Sequence, residues 1–287
     1  MLPSRSEFLD LGGHRYHVRR WGDPAAPLLI LLHGWCDVSA SFQFLVDAFH
    51  HPWQVVAPDW RGFGLSEWNQ SHYWFADYLA DLDLLLEHCS PDTPATIVAH
   101  SMGGMAASLY AGARPERVGR LAILEGLGLL TASPEETPGR VAQWLKQKRR
   151  VGGFRRYPDT AAFAARLCKD NPRLDAAKAE FLALHLSRDD GDGVTWAADP
   201  RHQWVNPVRI RMDEAMASWR AVTAPVLHVA GTDSPYMKEA FAADPGELER
   251  RLGCFANLSQ AMIDDCGHNL HHDQPRRLAR ILEDFLR

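Results

Sequence analysis

The sequence predicts an α/β fold, a mostly parallel, doubly wound sheet with an inserted helical cap. Through the first half of the 287-residue chain, short apolar runs alternate with segments of helical periodicity, the pattern of a parallel sheet wrapped by helices. Beyond about residue 128 this alternation stops, and strand-like runs return only near residue 225. We therefore expect a core made of residues 1–128 and 219–287 and a cap made of residues 129–218.

Four apolar runs predict the strands of the first core segment. Residues 28–32 form a continuous apolar run, which is typical of an interior strand covered on both faces. The next runs lie at residues 54–57, 95–99 and 121–124. Between the second and third runs, apolar residues recur at spacings of four, three and four from residue 75 to residue 86, which predicts a helix.

The end of the chain predicts the rest of the core. Residues 225–230 and 261–263 read as strands, and residues 276–286 repeat apolar side chains at helical spacing. The intervening residues 131–217 are polar and helical, and we expect no buried strand there. This change from apolar, strand-like runs to a polar, helical segment is the reason for predicting a cap.

The composition of the chain argues against several classes of binding partner. The formal net charge is -5, so the chain has no general attraction for nucleic acid or acidic membranes. Residues 1–20 carry no apolar signal-peptide core, and no apolar run is long enough to span a bilayer. The five cysteines are odd in number and not closely paired, which indicates reduced thiols. We expect a cytoplasmic protein that acts on a small molecule; the oligomeric state stays open.

The strongest chemical signal is the segment Ala99-His-Ser-Met-Gly-Gly104, placed between a predicted strand and a predicted helix. A serine hydroxyl becomes nucleophilic when a tight turn exposes it beside a base and backbone amide donors. Small flanking residues permit such a turn, and the next helix offers its first N–H groups to an oxyanion. Ser101 is therefore the candidate nucleophile, although Ala99 stands where the usual pattern has glycine.

Three further segments stand in the order that this chemistry requires. His33-Gly34-Trp35 follows the first long strand, where the amide of Trp35 would join that of Met102 in an oxyanion hole. A glycine-rich loop at residues 59–66 follows the next strand. Cys266-Gly-His268 follows the last predicted strand, which makes His268 the candidate general base.

Together these motifs resemble the α/β-hydrolase superfamily over nearly the whole chain. Within it, Leu124-Glu-Gly-Leu-Gly128 and Asp199-Pro-Arg-His202 look like the serine hydrolase-like protein branch. The resemblance implies a Ser-His-acid triad and cleavage of an ester or related acyl bond.

The acid of the triad has two candidates. In most of the superfamily the acid stands three residues past a glycine that follows the strand after the cap. Here that glycine is Gly231 and the position holds Ser234, which cannot serve, while Asp233 lies one residue short. Some branches take the acid from the strand before the cap, where this chain has Glu125. We favour Glu125 and keep Asp233 as the alternative, because triads are defined by geometry.

The substrate pocket is predicted from residues beside these motifs. His33, Cys36 and His100 are the candidates from the core, and aromatic residues should contribute from the cap. The cap candidates are Trp144, Phe154, Trp196 and Trp204.

No cofactor or metal site is predicted. The glycines at 103 and 104 are explained by the turn at Ser101, and no phosphate-binding loop follows another strand. His271 and His272 have no acidic or thiol partner in their own sequence motif that would suggest a metal role.

Two other functions remain open from the sequence. The segments at residues 30–36 and 60–66 also resemble the cofactor-free ring-cleaving dioxygenases built on the same fold, which take their acid from the strand end where Glu125 stands. Alternatively, the fold is a non-catalytic scaffold that binds a ligand.

Overall fold

The computed structural model describes residues 1–127, 133–150 and 152–287. Within them the main sheet has eight strands, in the order β1-β2-β4-β3-β5-β6-β9-β10, and β7 and β8 form a separate hairpin. In chain order the strands are β1 (Ser4–Leu11), β2 (His14–Trp21), β3 (Leu28–Leu32), β4 (Gln54–Pro58), β5 (Ala95–His100), β6 (Val118–Leu124), β7 (Ser187–Asp189), β8 (Val194–Trp196), β9 (Val226–Gly231) and β10 (Leu258–Ile263). Neighbours are parallel from β4 to β10, whereas β1 and β2 pair antiparallel.

Helices cover both faces of this sheet. They are α1 (Gln43–Val46), α2 (Phe75–Cys89), α3 (Met102–Ala113), α4 (Thr137–Lys148), α5 (Thr160–Asp170), α6 (Ala176–Leu186), α7 (Met212–Arg220), α8 (Pro235–Ala240), α9 (Glu247–Leu252), α10 (Leu270–Asp273) and α11 (Pro275–Leu286). Among the described helices, none combines the length and the apolar character needed to cross a bilayer.

Strand β3 shows why the fold has two hydrophobic layers. Ile30 and Leu32 pack into the cluster that contains α2, α3 and α7. Leu29 and Leu31 point to the opposite face and pack with α1 and α11. Because successive side chains of a strand alternate between faces, a continuous apolar run fits a strand buried on both. The prediction of a doubly wound sheet is confirmed.

The antiparallel strands β1 and β2 were not predicted. β1 alternates exposed and buried side chains from Phe8 to Leu11, and β2 carries three arginines and two histidines. Such a half-solvated pair has none of the apolar continuity of the interior strands. Because these two strands are rich in polar residues, the sequence carries no clear signal for them.

The insertion between β6 and β9 contains α4 to α7 and the β7–β8 hairpin. It is joined to the glycine-rich loop after β4 by backbone hydrogen bonds: the N–H of Asp199 donates to Gly62 O at 2.8 Å, and the N–H of Gly64 donates to Ala197 O at 2.7 Å. The buried Asp199 also accepts a hydrogen bond from the Tyr73 hydroxyl at 2.8 Å. The glycine-rich loop at residues 59–66 and the segment 199–202, both singled out in the sequence, therefore hold each other in place.

Part of the insertion shares a hydrophobic cluster with the core. Phe163, Leu182 and other side chains of α5 and α6 pack with Val38 and Phe44 from the segment after β3. This contact fixes α5 and α6 above the carboxyl end of β3.

One expected boundary of the cap lies within a helix. The boundary between residues 218 and 219 falls inside α7, and Trp219 of that helix is fully buried in the core, where its indole N–H donates to Ser108 Oγ at 2.9 Å. Helix α7 thus packs as a core helix. The other boundary, between residues 128 and 129, lies outside the described residues.

Candidate active site

Ser101 occupies a sharp turn between β5 and α3. Its backbone has φ 50° and ψ -114°, a conformation that costs a residue with a side chain about 1–3 kcal/mol. The turn is held by the Ser101 N–H, which donates to Leu124 O at 2.9 Å, and by Ser101 O, which accepts from the Met105 N–H at 3.1 Å. A Cβ at Gly103 would lie 2.6 Å from Leu32 O, so only glycine lets α3 approach β3 this closely.

The imidazole of His268 reaches this serine from the loop after β10. The Ser101 hydroxyl donates to His268 Nε2 at 3.0 Å. The ring is packed between two others, with centroid distances of 4.4 Å to Tyr236 and 4.7 Å to His100. The two side chains are thus within proton-transfer distance.

Glu125 lies on the other side of the histidine. Its side chain is fully buried at the end of β6, and its Oε2 accepts the Nδ1–H of His268 at 3.1 Å. The same oxygen accepts the Ser234 hydroxyl, and Oε1 accepts the Gly231 N–H at 2.7 Å. Three donors therefore fix the direction of this carboxylate.

Asp233, the alternative acid, points elsewhere. Its carboxylate accepts from Arg173 Nη2 at 2.7 Å, and its side chain is 44% exposed. No hydrogen bond joins it to His268 among the described residues. The structure therefore brings Ser101, His268 and Glu125 together and leaves Asp233 in a surface ion pair.

Both residues expected to supply amides to an oxyanion hole lie near the serine. Met102 is the first residue of α3, and the first N–H groups of a helix have no partner within it. Trp35 lines the same cavity as Ser101. A Cβ on Gly34 would lie 3.1 Å from Ser101 Cβ, so the peptide that leads into Trp35 runs directly against the nucleophile.

Of the three core residues expected in the pocket, His33 does not line it. The ring is fully buried beneath the loop, where Nδ1–H donates to Gly34 O at 2.7 Å and Nε2 accepts from the Trp60 N–H at 2.9 Å. Burial lowers the pKa of His33, which keeps it neutral. Its hydrogen bond to Trp60 ties the loop after β3 to the loop after β4.

Cys36 and His100 do line the cavity. Burial raises the pKa of the Cys36 thiol, so it carries little thiolate. Burial and the neighbouring His271 lower the pKa of His100 well below its usual value. All five cysteines are free thiols.

The cavity above Ser101 has a volume of about 500 Å³. Of the four cap candidates, Phe154 and Trp196 line it, while Trp144 and Trp204 pack instead around His72. The other apolar lining comes from α5, α6 and the turn between them, at Leu167, Leu174, Leu182 and Leu186. The insertion thus forms the apolar wall opposite the nucleophile.

Sequence reasoning missed the roles of three polar residues around this site. Ser234 was set aside because it cannot act as an acid, yet its hydroxyl binds Glu125. Ser234 occupies the position that holds the acid in most of the superfamily, and this position could have pointed to a contact with the triad. Asp37 and His272 also line the cavity, and no motif pointed to them.

Comparison with known proteins gives a consistent result. The family model described as "alpha/beta hydrolase fold" matches residues 27–275. The chain is 24% identical to a serine hydrolase-like protein of Danio rerio, covering 93% of this chain and 83% of that protein. It is 25% identical to an esterase of Mycobacterium tuberculosis, covering 93% and 85%. The thioesterase domain from the curacin biosynthetic pathway superposes with a TM-score of 0.87 at 24% identity, covering 98% and 99%.

Proposed function

Because this chain belongs to the α/β-hydrolase fold family, we propose that it is a serine hydrolase that cleaves carboxylic esters through Ser101, His268 and Glu125. Its family and its likeness to a named esterase make it an α/β-hydrolase enzyme. The proposal concerns the bond that it cleaves and the residues that do so.

The observation that carries the proposal is the continuous line of hydrogen bonds from the serine to the carboxylate. Ser101 Oγ and His268 Nε2 are 3.0 Å apart, and His268 Nδ1 and Glu125 Oε2 are 3.1 Å apart. Each group thus stands at the distance that its role requires.

The reaction follows from this order of groups. Ser101 Oγ attacks the ester carbonyl carbon while His268 Nε2 takes the hydroxyl proton, and the buried carboxylate of Glu125 stabilises the resulting imidazolium. The amides of Trp35 and Met102 donate to the carbonyl oxygen as it gains negative charge. The tetrahedral intermediate expels the alcohol, which takes the proton from His268. Water, activated by the same imidazole, then releases the acid and frees Ser101.

The cavity supports an apolar group on the substrate. Its volume of about 500 Å³ is in the range of small-molecule sites. The leucine and aromatic side chains of the insertion face the nucleophile, so we place the acyl chain against α5 and α6.

The test is a series of p-nitrophenyl esters of increasing acyl length, assayed with the wild type and with Ser101→Ala. We expect turnover of the wild type and a loss of at least about a thousandfold in the variant. A fluorophosphonate probe should label the wild type at Ser101 and leave the variant unlabelled. Ester turnover that survives Ser101→Ala would contradict the proposal.

Two controls address the other functions considered from the sequence. Oxygen consumption with hydroxyquinolones, in the absence of ester turnover, would identify a ring-cleaving dioxygenase. If the folded protein is not labelled by the probe and turns over none of the esters, it is a non-catalytic scaffold.

A further inference from the structure

A cluster of buried titratable side chains lies beside the proposed active site. A carboxylate oxygen of Asp37 and one ring nitrogen from each of His100 and His271 lie within 4.8 Å of one another, and all three residues are buried. Asp37 comes from the loop after β3, His100 ends β5, and His271 lies in α10. The sequence suggested no metal role for His271 because it showed no acidic partner nearby; the fold brings Asp37 to it.

One of the three distances between ligand atoms in this cluster fits a transition metal. Asp37 Oδ2 and His271 Nε2 are 3.5 Å apart. Two ligands of a tetrahedral zinc, each bound at about 2.1 Å, are roughly 3.4 Å apart. Two imidazoles and one carboxylate suit zinc or cobalt and suit magnesium or calcium poorly, because those ions prefer oxygen ligands.

His100 is held in the form that a metal ligand needs. Its Nε2–H donates to the backbone carbonyl of His268 at 2.9 Å, which leaves the lone pair on Nδ1. This nitrogen is buried and has no hydrogen-bond partner in the described part of the chain. Metal-binding histidines commonly have their other N–H fixed by a carbonyl in this way.

The charges of the cluster also suit a cation. Asp37 accepts the Ser41 hydroxyl at 2.9 Å and the Val38 N–H at 2.8 Å. Both of these donors are neutral, so neither supplies a positive charge to the carboxylate. An ion can reach the cluster, because Asp37 and His100 both line the cavity.

We propose that Asp37, His100 and His271 form a binding site for one zinc-class divalent ion, and that its occupation inhibits ester hydrolysis. The inhibitory part rests on the function proposed above; the binding part does not. The rings of His100 and His268 are 4.7 Å apart, so a dication on His100 opposes formation of the His268 imidazolium. With three protein ligands, its open coordination position can also face the cavity that the substrate must enter.

The binding test uses chelator-treated protein and calorimetric titration with Zn²⁺. We expect one ion per chain, with Asp37→Asn and His271→Gln each weakening Kd by at least about tenfold, the loss that even an outer-shell partner can cause. Co²⁺ should give the visible absorption of a four-coordinate site, and Mg²⁺ should not bind. If His271→Gln fails to fold, the nearly isosteric Asp37→Asn decides.

The matched control is His51→Gln, which removes an exposed histidine next to His50. It should leave the Kd for Zn²⁺ unchanged. The proposal is overturned if zinc does not bind, if Asp37→Asn and the wild type bind it equally, or if His51→Gln abolishes binding.

Inhibition is measured separately with p-nitrophenyl esters. Zn²⁺ should lower the rate at least about tenfold, with a midpoint that matches the calorimetric Kd and shifts in parallel in Asp37→Asn. Zinc binding without any effect on turnover would refute the inhibitory part. If turnover itself proves independent of Ser101 while Asp37→Asn still weakens zinc binding, the proposed function fails and the metal site stands.

Discussion

Replacing Glu125 by glutamine should separate the two candidate acids, because the substitution keeps the shape of the side chain and removes its charge. The carboxylate accepts from His268 and Ser234 on Oε2 and from Gly231 on Oε1. An amide has one acceptor oxygen, so a glutamine must set its NH₂ group against either Gly231 or the other two donors. If the NH₂ group faces His268, Nδ1 must accept from it and Nε2 carries the proton, so Nε2 cannot accept the serine proton. If the NH₂ group faces Gly231, two donors oppose each other and the imidazolium loses the negative charge that stabilises it.

The expected loss is large. An amide in place of the acid of a Ser-His-acid triad lowers kcat by about 10⁴, as in the serine proteases. That factor corresponds to about 5.5 kcal/mol in activation free energy. The assay is kcat/KM on a short-chain p-nitrophenyl ester, with circular dichroism to confirm that the variant folds.

Asp233→Asn is the matched control. Its carboxylate is 44% exposed and pairs with Arg173, and a pair this exposed contributes about 1 kcal/mol or less to stability. We expect kcat/KM to remain within about twofold of the wild type. A collapse of activity in Asp233→Asn, with Glu125→Gln still active, would refute the assignment.

Three further predictions concern the Ser234 hydroxyl, the cavity wall at Trp196 and the imidazole of His202. Ser234→Ala removes a hydroxyl that donates to Glu125; we expect kcat to fall roughly tenfold to a hundredfold with KM little changed, and Ser234→Thr to recover most of it. Trp196→Ala enlarges the cavity and should raise kcat/KM for octanoyl over butanoyl esters by at least about tenfold, whereas Trp204→Ala, outside the cavity, should leave that ratio unchanged. Burial lowers the pKa of His202 from 6.5 to about 3, so between these pH values the unfolded chain binds the proton more readily and stability falls as pH falls. His202→Phe keeps a ring at this stacked position. When the pH is lowered from 7.5 to 5, the free energy of unfolding measured in urea should fall by up to about 2 kcal/mol less in this variant than in the wild type.

Most of the core was predictable because its signals are local in the chain. The apolar run at β3 and the small residues around Ser101 each reflect a constraint within a few neighbouring residues. His268 was predictable from its place after the last strand. The edge strands β1 and β2 were not, because a strand that is half solvated carries no continuous apolar run.

The remaining site residues depend on how distant loops face one another. Glu125 and Asp233 both follow strands that end at the same edge of the sheet, and only the direction of each side chain separates them. The contact of Asp37 with His271 joins residues near opposite ends of the chain. The displacement of His33 from the pocket arises from its hydrogen bond to Trp60, another long-range pairing.

The hydrophobic cluster that α5 and α6 share with Val38 and Phe44 bears on the design of chimeras. A graft that exchanged only residues between β6 and β9 would leave Val38, Ala40 and Phe44 facing foreign side chains, with cavities or overlaps as the result. A transplant of substrate preference from a relative should therefore carry the stretch 38–44 together with the helices above it.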